Sequence, residues 1–287
     1  MQTTTASPPG AEGLPKPYDP SVDGERWCPL CQARACEPWP RYSHDGWSIV
    51  SCGTCQFVYL KNPVAYEALV ETYAWERTSA AERQRRRRER PVLDGISRAT
   101  RWRLRLPGSN KQTRYRRFFG NGKVLDIGCG GGRQLPEPIV PFGVELSRQL
   151  ARDADALMRK RGGHCVHADA ISGTRSFAES SFDGVLLSSF LEHEINPLQL
   201  LAEVRRVVST NGHVYVRVPN FGSVNRRVMD SKWCGFRYPD HVNYFTAASL
   251  RQMAQRAGFR MRVLNAFTLA VDDNIKAALE PVEAPAA

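Results

Sequence analysis

The chain lacks, across residues 1–23, any apolar run long enough for a signal peptide or a membrane span. That stretch is rich in Pro, Gly, Ser and Thr instead. The expectation is a disordered leader (1–23) on a cytoplasmic protein, whose reducing surroundings disfavour disulfides between its cysteines. Acidic residues are also in short supply, 29 against 40 Lys and Arg, for a net charge of +11. The imbalance raises the question of an anionic partner, whether nucleic acid, a nucleotide-linked sugar or a membrane surface. A third lack concerns the glycine-rich stretch Val124-Leu-Asp-Ile-Gly-Cys-Gly-Gly-Gly132. A dinucleotide fingerprint needs its third glycine where Arg133 stands, so the NAD reading fails.

What is there points elsewhere. Val124, Leu125 and Ile127 read as a short buried strand, and the glycines after it permit positive φ and a close backbone approach to a ligand. Asp126, two residues before Gly128, disfavours a pyrophosphate and favours a ligand carrying positive charge. S-adenosylmethionine, with a sulfonium and an ammonium, fits.

Leu125-Asp-Ile-Gly-Cys-Gly-Gly-Gly132 resembles the first motif of class I S-adenosylmethionine-dependent methyltransferases, and the resemblance continues through most of the remaining chain. It implies an α/β, Rossmann-like fold with a seven-stranded, mostly parallel sheet over residues 120–280. In the loop, Asp126, Gly128, Cys129, Gly130 and Gly132 become cofactor-binding candidates. The next strand, 142–145, ends in Glu145, a carboxylate placed to accept from ribose hydroxyls, with Leu146 beside it. For Asp169 and Ala170 the resemblance implies contacts to the adenine amino group and ring edge. Ser188 lies at the carboxyl end of the fourth strand, 182–187, where ligands of open α/β sheets gather.

Upstream, Cys28-Pro-Leu-Cys31 and Cys52-Gly-Thr-Cys55 are two C-x-x-C knuckles separated by about the 15 to 20 residues that zinc ribbons use. They predict a zinc-ribbon-like module over 24–62. Four thiolates leave no open coordination position, so the zinc is assigned to folding. Cys36 is a spare whose spacing is poorer.

Helical patterns over 64–89, 96–104 and 111–119 predict a basic helical linker or lid, 63–119, carrying Arg85-Arg86-Arg87-Arg88. Pro136, Pro138 and Pro141 leave little room for a helix after the glycine loop. Further on, the pattern predicts a helix over 147–160, a helix over 198–208, a turn at Asn211-Gly212, a strand over 213–218, a strand over 260–267, an antiparallel strand over 274–279 and a frayed tail, 281–287.

His193 in Leu191-Glu-His-Glu and His241 in Pro239-Asp-His are the general-base candidates, because imidazole is available neutral near physiological pH. The loop 221–244, with its arginines and aromatics, is expected to cover the acceptor and suggests a planar or anionic one. The leading expectation is therefore in-line methyl transfer to a small molecule, a glycan or secondary-metabolite intermediate, including anionic or nucleotide-linked ones. The alternative is an RNA- or DNA-directed methyltransferase gripping phosphates through the zinc module and the basic segment, against which stands the lack of a D/N-P-P-Y-type motif. A scaffold that keeps the pocket without turnover is the third reading.

Overall fold

The computed structural model of the protein describes residues 16–64 and 110–282. All but the first residue of the helix expected over 64–89, the helix expected over 96–104, the arginine run, and residues 1–15 and 283–287 lie outside the described residues.

The chain first forms β1 (Cys36–Pro38), β2 (Ile49–Cys52) and β3 (Val58–Leu60), an antiparallel set whose last two strands are buried throughout. Helix α1 (Lys111–Phe119) follows, capped by Asn110 and anchored by buried Tyr115. Then come β4 (Lys123–Ile127), β5 (Val140–Glu145), α2 (Arg148–Arg159), β6 (Cys165–His167), α3 (Ala170–Arg175), β7 (Phe182–Ser188), α4 (Pro197–Val207) and β8 (Val208–Pro219). The chain closes with α5 (Val224–Met229), β9 (Asn243–Tyr244), α6 (Ala247–Arg256), β10 (Phe259–Val263) and β11 (Asn274–Pro281).

The main sheet has seven strands in the order β10-β11-β8-β7-β4-β5-β6. β4 pairs in parallel with both β5 and β7, while β11 runs antiparallel to β8 and β10. This is the Rossmann-like arrangement the sequence predicted. Parallel strands covered on both faces read as apolar runs, as in Val124, Leu125 and Ile127, each at most 1% exposed. Helix α2 starts at Ser147, whose hydroxyl accepts from Leu150 N, and buries Ala151, Ala154 and Met158. Helix α4, with Pro at its start, buries Leu198, Leu200, Leu201, Val204 and Val207.

Three local readings are corrected. Residues 16–23, expected within a disordered leader, are anchored through Tyr18: it is 4% exposed, its N–H donates to Asn196 Oδ1 at 2.8 Å, and Asn196 Nδ2 donates back to Tyr18 O. One aromatic ring packed edge-on against Trp27 supplies the burial that composition alone did not reveal. Asn211-Gly212 lies inside β8 rather than in a turn, because β8 follows β7 through a register irregularity between Phe182 and Gly184. The strand expected over 260–267 stops at Val263. Asn265 takes the backbone out of the ladder by donating to Asn274 O and accepting from Lys276 N. As expected, no helix separates β4 from β5, and the last strand of the chain, β11, is antiparallel, lying between β10 and β8.

The cysteine-bearing module does not stand apart. Its strand β3 pairs with β9, so the small sheet is β1-β2-β3-β9 and draws its last strand from the carboxyl half of the chain.

Candidate functional site

The glycine loop leaves the carboxyl end of β4 and is tied to β5, since the N–H groups of Gly128 and Cys129 both donate to Val144 O. At Gly128, φ is +71° and a Cβ would stand 2.3 Å from Phe190 Cδ2; at Gly132, φ is +72° and a Cβ would stand 2.9 Å from Ala154 Cα. Only glycine fits either position. Glu145 ends β5, and its carboxylate accepts from Gly130 N at 2.8 Å and from Ser147 N at 2.9 Å, tying the loop to the end of β5. Asp169 caps α3 by accepting from Ser172 N at 2.9 Å.

A cavity of about 330 Å³ opens at this end of the sheet. Its wall brings together Gly128, Glu145, Leu146, Asp169, Ala170 and His193. Tyr18, Asp19 and Pro20 form another part of the wall, which sequence reasoning missed. The remaining sequence-predicted residues stand behind it. Cys129 is buried with its sulfur 3.6 Å from Cys165 Sγ, Ser188 is hydrogen-bonded to the Tyr115 hydroxyl, and Gly130 and Gly132 shape the loop.

Asp126 is 1% exposed, and neither carboxylate oxygen has a hydrogen-bond partner. Burial, and then the charge of Glu145, push its pKa well above the ordinary carboxylate value of 3.8, while the ammonium of Lys111 acts in the opposite direction. An orphaned buried carboxylate behind a loop that only glycine can build fits a ligand that brings a positively charged donor. This donor set fits S-adenosylmethionine.

The two histidines meet. Their rings lie edge to face with centroids 4.7 Å apart, His193 8% and His241 4% exposed. His193 Nδ1 faces Asp240, at 2.9 Å from its carbonyl and 3.2 Å from its carboxylate, while His241 Nδ1 donates to Gly235 O at 2.8 Å. Burial works against a charge on His193, but the hydrogen bond and charge of Asp240 outweigh it and raise its pKa. Burial would likewise raise Asp240, yet its bond to His193 holds it at about 2. Burial, then the charge of His193, drives His241 well below the usual imidazole range. Glu192 completes the cluster from the same turn as His193.

Two segments carry these groups, residues 191–196 and 240–243, and one buried side chain joins them. Arg26 donates to Val242 O, to Ile195 O and to Asn243 Oδ1, while Asn243 Nδ2 donates to Leu191 O and Glu194 O. Neither Arg26 nor Asp240 was found from the sequence; an arginine two residues before a cysteine knuckle gives no local signal of a partner near the end of the chain.

The loop expected to cover an acceptor is packed instead. Trp233 is 2% exposed and donates to Asp273 Oδ1, and Arg226 sits 4.1 Å from the Phe221 ring centroid beside Trp39 and Tyr42. Among the described residues, none of these aromatics or arginines lines the 330 Å³ cavity.

In the N-terminal module the sulfurs of Cys28, Cys31, Cys52 and Cys55 all lie within 4.8 Å of one another, with Cys28–Cys55 at 3.5 Å and Cys31–Cys52 at 3.4 Å. A tetrahedral ion with about 2.3 Å metal–sulfur bonds needs sulfurs about 3.8 Å apart, so the four fit. The N–H groups of Thr54 and Cys55 point at Cys52 Sγ. Cys36 lies outside the cluster.

A model of the methyltransferase domain matches residues 84–263. The chain is 28% identical over 164 residues to a ubiquinone biosynthesis O-methyltransferase of Thiobacillus denitrificans, covering 51% of this chain and 68% of that one. It is 25% identical over 145 residues to an uncharacterized protein of Methanocaldococcus jannaschii, covering 50% and 68%. Among solved structures, 1,6-didemethyltoxoflavin-N1-methyltransferase of Burkholderia thailandensis, with bound S-adenosylhomocysteine, aligns at a TM-score of 0.47 and 14% identity over 86% of this chain and 100% of that one.

Proposed function

The chain belongs to the class I S-adenosylmethionine-dependent methyltransferases, and on that premise we propose that it methylates a small molecule at an ionisable group, with Glu192, His193 and His241 as the centre that takes up the acceptor's proton. The observation that carries this reading is the 330 Å³ cavity, whose wall brings Gly128, Glu145, Leu146, Asp169 and Ala170 of the candidate cofactor residues together with His193.

When bound, S-adenosylmethionine supplies an activated methyl group on a sulfonium. Asp126 would give its ammonium a buried counter-charge, Glu145 would accept from the ribose hydroxyls, and Asp169 with Ala170 would meet the adenine edge. The protein's remaining tasks are to align the acceptor, exclude water and move a proton. His193, backed by Asp240, presents its Nε2 edge toward Glu192, whose Oε1 is 4.0 Å away. A small acceptor is favoured because the wall is built from short turns and the leader segment 18–20. A related O-methyltransferase of ubiquinone biosynthesis supports this class. The four cysteines hold a structural zinc that fixes Arg26 and the 16–23 segment against the catalytic half.

Calorimetric titration of zinc-loaded protein with S-adenosylmethionine, beside Asp126→Ala, tests the cofactor half of this reading. Binding is expected in the first and lost in the second. Turnover is then followed as S-adenosylhomocysteine release with hydroxylated small molecules and with RNA. Folded protein that binds no cofactor, or that methylates RNA alone, overturns the reading.

A further inference from the structure

Glu192, His193 and His241 each place one potential ligand atom within 4.8 Å of the other two, and all three residues are buried. Ligands about 2.0–2.2 Å from one ion lie roughly 3–4.4 Å apart, so small side-chain adjustments close the set. Two further features mark it as more than a packing accident.

The first is how the imidazoles are held. His193 Nδ1 is engaged by Asp240 and His241 Nδ1 by Gly235 O, which leaves Nε2 as the nitrogen each ring has free to offer an ion. A carboxylate or carbonyl on the far nitrogen is the arrangement that fixes the tautomer and orientation of metal-binding histidines. The second is Glu192. Its Oε2 is buried with no hydrogen-bond partner, and its Oε1 stands 4.0 Å from His193 Nε2. A carboxylate oxygen sealed from water without a donor is costly unless something positive completes it. The backbone reinforces the geometry, because Val242 N and Asn243 N both donate to Glu192 O, tying the turn that carries Glu192 and His193 to the residues following His241.

We propose that Glu192, His193 and His241 bind a divalent first-row transition cation whose open coordination positions face the cavity on the His193 side. Two imidazoles and one carboxylate suit manganese, iron, cobalt or zinc and are a poor set for magnesium or calcium, which favour all-oxygen shells. The role of the ion rests on the proposed methyltransferase reading. With the ion bound, the three residues act through it instead of taking up the proton themselves: beside the cavity it lowers the proton affinity of an acceptor hydroxyl, whose proton passes to solvent, and the acceptor class narrows to oxygen nucleophiles.

Manganese separates this site from the cysteine cluster, because thiolates select softer ions. Full-length chain carrying one zinc is titrated with Mn²⁺ while the free ion is followed by electron paramagnetic resonance. One Mn²⁺ per chain is expected, weakened at least about tenfold in Glu192→Gln, an isosteric change, and unaltered in Glu194→Gln on the same turn. No Mn²⁺ uptake, or equal loss in both variants, overturns the site. The titration needs no cofactor. A chain that binds S-adenosylmethionine but no Mn²⁺ therefore sinks the metal site and leaves the methyltransferase reading standing, whereas the reverse result does the opposite.

Discussion

Arg26 and Asn243 are 217 residues apart in the chain and 3.0 Å apart in space, guanidinium Nη2 against amide Oδ1. The arginine is 2% exposed, and burial lowers its pKa to about 10, which still leaves it charged at neutral pH. Its other bonds go to the carbonyls of Val242 and Ile195. Arg26→Ala leaves these buried acceptors unpaired and is expected to cost about 3 kcal/mol of stability, measured by urea unfolding. Arg26→Lys recovers only part, because an ammonium cannot span the same fork of acceptors.

Asp126 ties pH to both stability and binding. Its pKa in the folded chain is raised above 3.8, so folded protein keeps a proton that unfolded protein has lost. The stabilising contribution of the protonated form is complete below 3.8 and disappears as pH rises through the folded value. Asp126→Asn removes this dependence and is expected to raise the cofactor-free melting temperature above that of the parent at neutral pH. The same variant should bind S-adenosylmethionine about 10- to 100-fold more weakly, the worth of a charge-assisted bond. Below the raised pKa, cofactor binding to the parent should release a proton, read as a buffer-dependent heat in calorimetry.

Gly128→Ala puts a methyl group where Phe190 Cδ2 is 2.3 Å away, at a φ of +71°. The ring must move into the cavity it lines. Loss of cofactor binding by at least tenfold is expected, with a drop in stability of about 1–3 kcal/mol from the strained backbone.

Cys52→Ser is expected to abolish stoichiometric zinc in metal analysis and to lower the melting temperature, since a structural site contributes its binding free energy to folding. It should also weaken S-adenosylmethionine binding, although no cysteine of the cluster touches the cavity. The route is short: Cys28 is two residues from Arg26, and Tyr18, Asp19 and Pro20 belong to the cavity wall.

Much of the candidate site was legible in the sequence where its geometry is local. The glycine loop, Glu145, Asp169 and the cysteine knuckles carry their geometry in consecutive residues, so a strand followed by a turn was enough to place them. His193 and His241 were each named as base candidates, but not their meeting, because 240–243 reaches 191–196 only through tertiary packing. Glu192, flanked by Leu191 and His193, reads as one more polar residue until its burial is seen. The aromatics of 221–244 misled for the opposite reason. Trp233, Phe236 and Tyr244 have the composition of a binding surface, yet they build a second core with Trp39 and Tyr42.

The pairing of β3 with β9 also has a kinetic side. Val58 pairs with Tyr244, and Tyr59 with Asn243, so this ladder cannot close until residue 244 has been made. During synthesis the cysteine module therefore emerges with a strand edge that, among the described residues, only β9 closes, and it waits for that strand. Such distant contacts slow folding and leave an aggregation-prone edge in the interval. An ion captured early by the two knuckles would hold that edge in register until β9 arrives, so the site would act on the yield of folded protein as well as on the finished molecule.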